Sequence, residues 1–134
     1  MAVEIMIIIQ MVLSIVLGAV IGLERERNHK PAGVRTHMFV CFGACLFTIS
    51  SILFVGGDPA RVAASIVTGI GFIGAGTIIA AKDRILGITT AASLWTTAAI
   101  GILVGINAIG IAIVATFLAL TILVSDYAIK RVLK

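Results

Sequence analysis

Gly22-Leu-Glu-Arg-Glu-Arg-Asn-His-Lys-Pro-Ala-Gly-Val-Arg-Thr-His37 is a charged, turn-forming stretch set between two apolar runs. It holds four of the ten basic residues of the 134-residue chain, Arg25, Arg27, Lys30 and Arg35, and two of the six acidic ones, Glu24 and Glu26. A hydrocarbon layer about 30 Å thick requires roughly 17 to 25 apolar residues of a spanning helix. Residues 4–23 and 37–55 on either side meet that demand. The stretch therefore reads as a short polar connection between two membrane spans.

Composition agrees with that reading. The chain is 60% hydrophobic and 12% charged, with a mean hydropathy of +1.22. A soluble domain of this size needs far more polar surface to cover its core. A net charge of +4 raises the question of nucleic acid. In a chain this apolar, however, the cations fix topology and meet anionic headgroups, and no nucleic-acid partner is expected. No Lys or Arg precedes Arg25, so the basic start of a secretory signal is missing and the first helix is expected to be retained. Cys41 and Cys45 fall four apart on one helix face, a geometry unsuited to a disulfide, and read as small buried apolar residues.

Three more segments follow, at about residues 61–81, 89–104 and 107–129. Gly56-Gly57-Asp58-Pro59, Lys82-Asp83-Arg84 and Gly105-Ile106-Asn107 punctuate them. With five spans, nine of the ten Lys and Arg residues fall on one side and Arg61 alone on the other. The positive-inside rule then places the N-terminus outside and the C-terminus in the cytoplasm. The expectation is an all-α membrane protein, one domain over residues 1–134, built as a bundle of about five transmembrane helices.

Gly69-Ile-Gly-Phe-Ile-Gly-Ala-Gly76 formally matches the dinucleotide pattern G-x-G-x-x-G. It lies inside a span, without the strand, helix and distant acid that the pattern needs. A helical projection puts Ala64, Ser65, Thr68, Gly69, Gly71, Ala75 and Gly76 on one face, with Ile66, Ile70 and Ile73 opposite. Small residues let helices approach closely in lipid, so tight packing of that face is the preferred expectation. A broken helix lining a cavity is the alternative. In the fourth segment Thr89, Thr90, Ser93, Thr96 and Thr97 share an arc, with Trp95 nearly opposite. Structural packing is again preferred, over a hydrophilic seam against the third helix.

Glu24 and Glu26 are candidate oxygen ligands for a cation such as Mg²⁺. The cations around them oppose capture; ion pairing of either acid with Arg35 across the connection is the preferred reading, and contact with a partner or lipid the second. His29 and His37 lack a third ligand and make a weak zinc signal. Asp126, near the end of the fifth segment, is a further metal candidate. An acid at membrane depth implies a function and a partner, with Arg25 and Arg35 the nearest cations, or Lys130 as a surface counter-charge. No nucleophile, base or carboxylate cluster at catalytic spacing is evident, so the chain reads as a non-enzyme with no cofactor.

Gly22-Leu-Glu-Arg-Glu26 with Ala32-Gly-Val-Arg-Thr-His37 resembles the signature of the MgtC/SapB family of bacterial and archaeal membrane proteins. Gly69–Gly76 and Gly87-Ile-Thr-Thr-Ala-Ala-Ser-Leu-Trp95, continuing through Ala98-Ala-Ile-Gly101, are similar to its other blocks, in family order. The resemblance implies a multi-pass protein of the cytoplasmic (inner) membrane, associated with adaptation to low magnesium and survival of pathogens inside host cells. A magnesium-transport label came from genetic neighbourhood with a transport ATPase. The better-supported role in the family's characterised branch is regulatory and includes interaction with the membrane ATP synthase. Many relatives add a soluble domain after the last helix, and this chain stops at Lys134, so that domain's functions do not carry over. The motif positions implied as the functional core are Glu24, Arg25, Glu26, Gly33, Arg35, Thr36, Gly71, Gly74, Gly76, Thr90, Ala91, Ala92 and Trp95.

The preferred expectation is thus a non-enzymatic membrane protein acting in magnesium or phosphate homeostasis through contacts with the bilayer and other membrane proteins. ATP synthase and a transport ATPase are the candidate partners, and a homo-oligomer is a further one. The rival is a small cation transporter or channel running along the glycine and hydroxyl faces of the third and fourth helices.

Overall fold

The computed structural model describes the backbone of residues 1–54, 56–81 and 84–132, and the side chains of residues 1–54, 56–80 and 84–125. The described residues form five helices: α1 (Ala2–Arg27), α2 (Val34–Leu53), α3 (Pro59–Ala75), α4 (Ile88–Gly105) and α5 (Ile109–Val132). A short antiparallel hairpin, β1 (Ile79–Ala81) with β2 (Arg84–Leu86), joins α3 to α4. Among the described residues α1, α2 and α4 are long and apolar enough to cross a membrane, and Pro59–Ala75 and Ile109–Ser125 are shorter apolar helices. The protein is an all-α membrane protein with a hairpin insert.

Local chemistry explains the boundaries. Asp58 caps α3 by accepting from the Arg61 N–H at 3.1 Å, and Pro59 takes the first turn, where its missing N–H costs nothing. The sequence suggested a third helix reaching residue 81, but it stops at Ala75. Glycine at 69, 71, 74 and 76 weakens the helix by roughly 1 kcal/mol per residue, and the β-branched run Thr77-Ile78-Ile79 favours extended backbone. The chain re-enters α4 through Gly87, whose φ of +91° only glycine adopts freely.

Helix α2 is the centre of the bundle. Against α1 it runs antiparallel, with Gly22 on Val34, Gly18 on His37 and Cys41, and Cys45 Sγ 3.8 Å from the Gln10 carbonyl. Against α4 it runs in the same sense, with His37 beside Ser93 and Thr48 beside Gly105. Leu17, Ile21, Cys41, Cys45, Ile100 and Val104 fill the main core. Helix α5 closes it with Ala112, Ala119 and Leu123, joined on the same stripe by buried Thr116. A second cluster of Ala32, Ala44, Ile70, Leu94 and Ala98 ties in α3.

Large apolar side chains such as Phe39, Phe47, Phe72, Trp95 and Phe117 point outward. In a soluble protein such a surface would aggregate; here it meets lipid. The alternation of helices gathers Arg27, Lys30, Arg35 and Arg84, all exposed, at one end of the bundle, with Asp58 and Arg61 at the other.

The small-residue face of α3 does not pack as expected. A Cβ at Gly69 or Gly71 would meet nothing within 4 Å, and the buried positions are Ile70 and Gly74. Gly74 is the α3 glycine that faces α4, at Ala91, and Ile70 packs beside it on Leu94 and Ala98. Elsewhere α3 stands off from α2, and the isoleucine side turns inward because only long side chains reach across that gap.

Candidate functional site at the basic end

The last turn of α1 presents the first part of the site. Arg25 is 2% exposed, with its Nε 2.5 Å from Glu24 Oε2. Asn28 Nδ2 donates to Glu24 Oε1 at 2.8 Å and to the Glu24 carbonyl at 2.7 Å, so that carboxylate is held from two sides. Arg25 Nη1 is buried without a hydrogen-bond partner among the described residues.

Glu26 reaches across the connection, and its Oε2 accepts the Val34 N–H at 2.7 Å. A carboxylate there satisfies an orphan amide and faces the positive end of the α2 dipole. Gly33 fits because a Cβ would lie 2.5 Å from the same oxygen. The expected pairing of Glu24 or Glu26 with Arg35 is therefore not formed. Both carboxylates have nearer donors, and Arg35 and Thr36 are exposed on the far side of the first turn of α2.

His37 lies fully buried beneath the connection. Its Nδ1 is 3.0 Å from the Gly33 carbonyl, which only accepts, so Nδ1 carries a proton. Nε2 is 3.1 Å from Ser93 Oγ, and that hydroxyl also lies 2.8 Å from the Thr90 carbonyl. A neutral ring accepts the Ser93 proton; when the hydroxyl turns to Thr90, Nε2 loses that donor. His29 is exposed and His37 is not, so the two histidines do not share a site.

On α4, Thr90, Ser93 and Thr97 are buried, Thr96 is half-buried, and Thr89 is exposed. Thr97 donates to the Ser93 carbonyl at 2.8 Å and Thr96 to that of Ala92 at 3.0 Å. Of this arc Ser93 meets His37 of α2, and the buried Thr90 and Thr97 pack beside it. Trp95 is half-exposed to the lipid side. Gly71 is open, Gly74 packs on Ala91, and Gly76 ends α3. Ala91 is half-buried and Ala92 exposed. Gly74 and Ala91 thus meet at the α3–α4 contact, residues 24–36 of the motif lie at the basic end, and Gly71 and Trp95 face outward. The side chain of Asp126 lies outside the described residues, as do Lys82, Asp83 and Lys134.

No group of three His, Cys, Asp or Glu residues close enough to hold a metal ion occurs among the described residues. Glu24 and Glu26 each already bind protein donors.

Sequence reasoning passed over two features. Gln10 is buried, and its Nε2 donates to the carbonyls of Val104 at 2.8 Å and Gly105 at 3.2 Å, cross-linking α1 to the last turn of α4. The close helix contacts are made by Gly18 with Gly22 and by Gly101 with Gly105. Both pairs carry the G-x-x-x-G spacing that marks helix-packing faces in apolar segments.

A glycine-stapled bundle of apolar helices with one basic end defines a small multi-pass membrane protein. The chain belongs to the MgtC family, whose model matches residues 11–132. It is 41% identical over 125 residues to YhiD of Escherichia coli (strain K12), whose name provisionally designates a magnesium transporter; the match covers 87% of this chain and 58% of that protein. It is 42% identical over 113 residues to Protein MgtC of Salmonella typhimurium (strain 14028s / SGSC 2262), covering 84% of this chain and 49% of the relative. A Haemophilus influenzae protein is 43% identical over 122 residues, with 83% and 51% covered. The chain thus spans about half the length of the curated relatives it matches. No solved structure matches it.

Proposed function

We propose that the protein acts in magnesium or phosphate homeostasis as a non-enzymatic regulator of the inner membrane, through contacts made by its basic end. The observation that carries this reading is the division of labour in residues 22–37. Glu24 and Glu26 are committed to Arg25, Asn28 and the Val34 amide, while Arg27, Lys30 and Arg35 stand exposed. Such an end suits an acidic protein surface better than a divalent cation. Under the positive-inside rule it faces the cytoplasm.

The name of the YhiD relative supports a second reading, transport of Mg²⁺. Divalent-cation flux into proteoliposomes, with Glu24→Gln and Asp126→Asn beside the wild type, separates the two. The regulatory reading expects no flux above empty liposomes from folded, inserted protein. It also expects Arg27→Glu with Lys30→Glu to abolish rescue of growth in low magnesium while the bundle stays folded. Saturable flux lost in either carboxylate variant overturns it in favour of the transporter, and full rescue by the charge-reversed protein removes the basic end as the contact surface.

A further inference from the structure

Because α3 touches α4 but stands off from α2, an open groove of about 900 Å³ runs between α2 and α3. Arg35 and Thr36 sit at its mouth, at the basic end of the bundle; beyond them its α2 wall is Phe39, Gly43 and Phe47, and Gly69 lies on the α3 wall. From Arg35 to Phe47 the helix rises about 18 Å, close to the depth of one leaflet of a 30 Å hydrocarbon core. The walls are smooth where they face each other, since a Cβ at Gly43 or at Gly69 would meet nothing within 4 Å.

The polarity of this groove is one-sided. Arg35 is exposed and makes no ion pair among the described residues. The first turn of α2 contains no acid and adds its own positive dipole end. A cation and a hydroxyl at headgroup level above an apolar channel match a ligand with an anionic head and a hydrocarbon tail. Basic pockets between spanning helices recognise anionic lipid headgroups in this way. A second copy related by a two-fold axis along the membrane normal fits poorly, because it sets Arg35 against Arg35.

We propose that the α2–α3 groove binds one anionic phospholipid, its phosphate on Arg35 and the Thr36 hydroxyl and one acyl chain along Phe39, Gly43 and Phe47. The site takes Arg35 from the exposed cations of the basic end and leaves Arg27 and Lys30 to the proposed protein contact.

The test is native mass spectrometry of the full chain titrated with phosphatidylglycerol or with phosphatidylcholine of the same acyl chains. Wild type is expected to retain phosphatidylglycerol at least several-fold better. Arg35→Gln is expected to lower it to the phosphatidylcholine level, while Arg84→Gln, a cation of the same end outside the groove, keeps the preference. Gly69→Leu, which the open space accommodates, is expected to reduce retention of both lipids in protein of unchanged helicity. Equal retention of the two lipids by wild type overturns the proposal, and so does an unchanged preference in Arg35→Gln. A lipid-free dimer that Gly69→Leu dissociates overturns it too, by making a second copy the occupant.

Discussion

Gly101 of α4 sits directly on the main chain of Cys41 in α2: a Cβ at 101 would fall on the Cys41 carbonyl oxygen and 2.8 Å from the Ala44 Cβ. One turn on, a Cβ at Gly105 would lie 2.6 Å from that of Thr48. Lipid offers no hydrophobic drive to bring helices together, so dispersion across such close approaches holds α4 to α2. Side chains at these positions must push the helices apart.

Gly101→Ala is therefore expected to destabilise the bundle by about 1–3 kcal/mol, the usual range for overpacking a fixed core. Gly71→Ala, with open space around its Cβ, is expected to do the reverse and gain up to about 1 kcal/mol of helix propensity. Reversible unfolding in mixed micelles by added sodium dodecyl sulfate measures both. Equal effects at the two positions would refute the assignment of packing to the first glycine and exposure to the second.

The Glu26–Val34 bond makes a separate prediction. Removing the acceptor in Glu26→Ala is expected to cost about 1 kcal/mol, as the loss of a helix N-terminal cap does. Glu26→Gln, which keeps a side-chain oxygen, should cost less. Hydrogen exchange at the Val34 amide is the direct readout: faster in the alanine variant, and nearer wild type in the glutamine variant. Unchanged exchange in both would show that the amide is protected by other means.

Arg25 and Glu24 form a mostly buried pair, with side chains 3% and 10% exposed. Truncating one partner of such a pair leaves a charge without compensation and typically costs about 3–5 kcal/mol. Arg25→Met alone is thus expected to lower the yield of folded protein sharply, and adding Glu24→Gln to recover much of it. Thermal stability of the two singles and the double forms the cycle. Additive losses would mean that the two side chains do not act as a pair.

Much of this architecture is legible in the sequence because apolar length and the placement of charges dictate it. The five helices, the turn at Gly56–Pro59 and the collection of cations at one end all follow from those two patterns. The hairpin between α3 and α4 is less legible, since three-residue strands carry little periodic signal and Ile79–Ala81 reads as a continuation of an apolar helix. The α3 glycines misled for a related reason: small residues indicate that close approach is feasible, not which neighbour takes it up. Gly18 with Gly22 and Gly101 with Gly105 carried the sharper spacing signal. In residues 22–37 the charged cluster was evident, but its pairing was not. Arg25 bonds its sequence neighbour and Glu26 a backbone amide, contacts set by how the chain turns over Pro31 and Gly33.

The two thiols of α2 report how closely its neighbours pack against it. Cys41 and Cys45 are fully buried, and the main chain of each lies under one of the α4 glycines, Cys41 under Gly101 and Cys45 under Gly105. A maleimide needs an accessible thiolate, so both cysteines should resist labelling in the folded protein and react once sodium dodecyl sulfate unfolds it. Gly101→Leu should move α4 away and raise the labelling rate of Cys41 in the still helical protein. Gly71→Leu, whose side chain points into open space, should leave it at the wild-type rate. Because both variants add the same side chain to a glycine of an apolar helix, only the location of the contact distinguishes them. Rapid labelling of the folded wild type would mean that α2 is not closely packed against α1 and α4, which together cover the two cysteines. Equal acceleration in both variants would mean that the leucine acts through general loosening and not by separating these two helices.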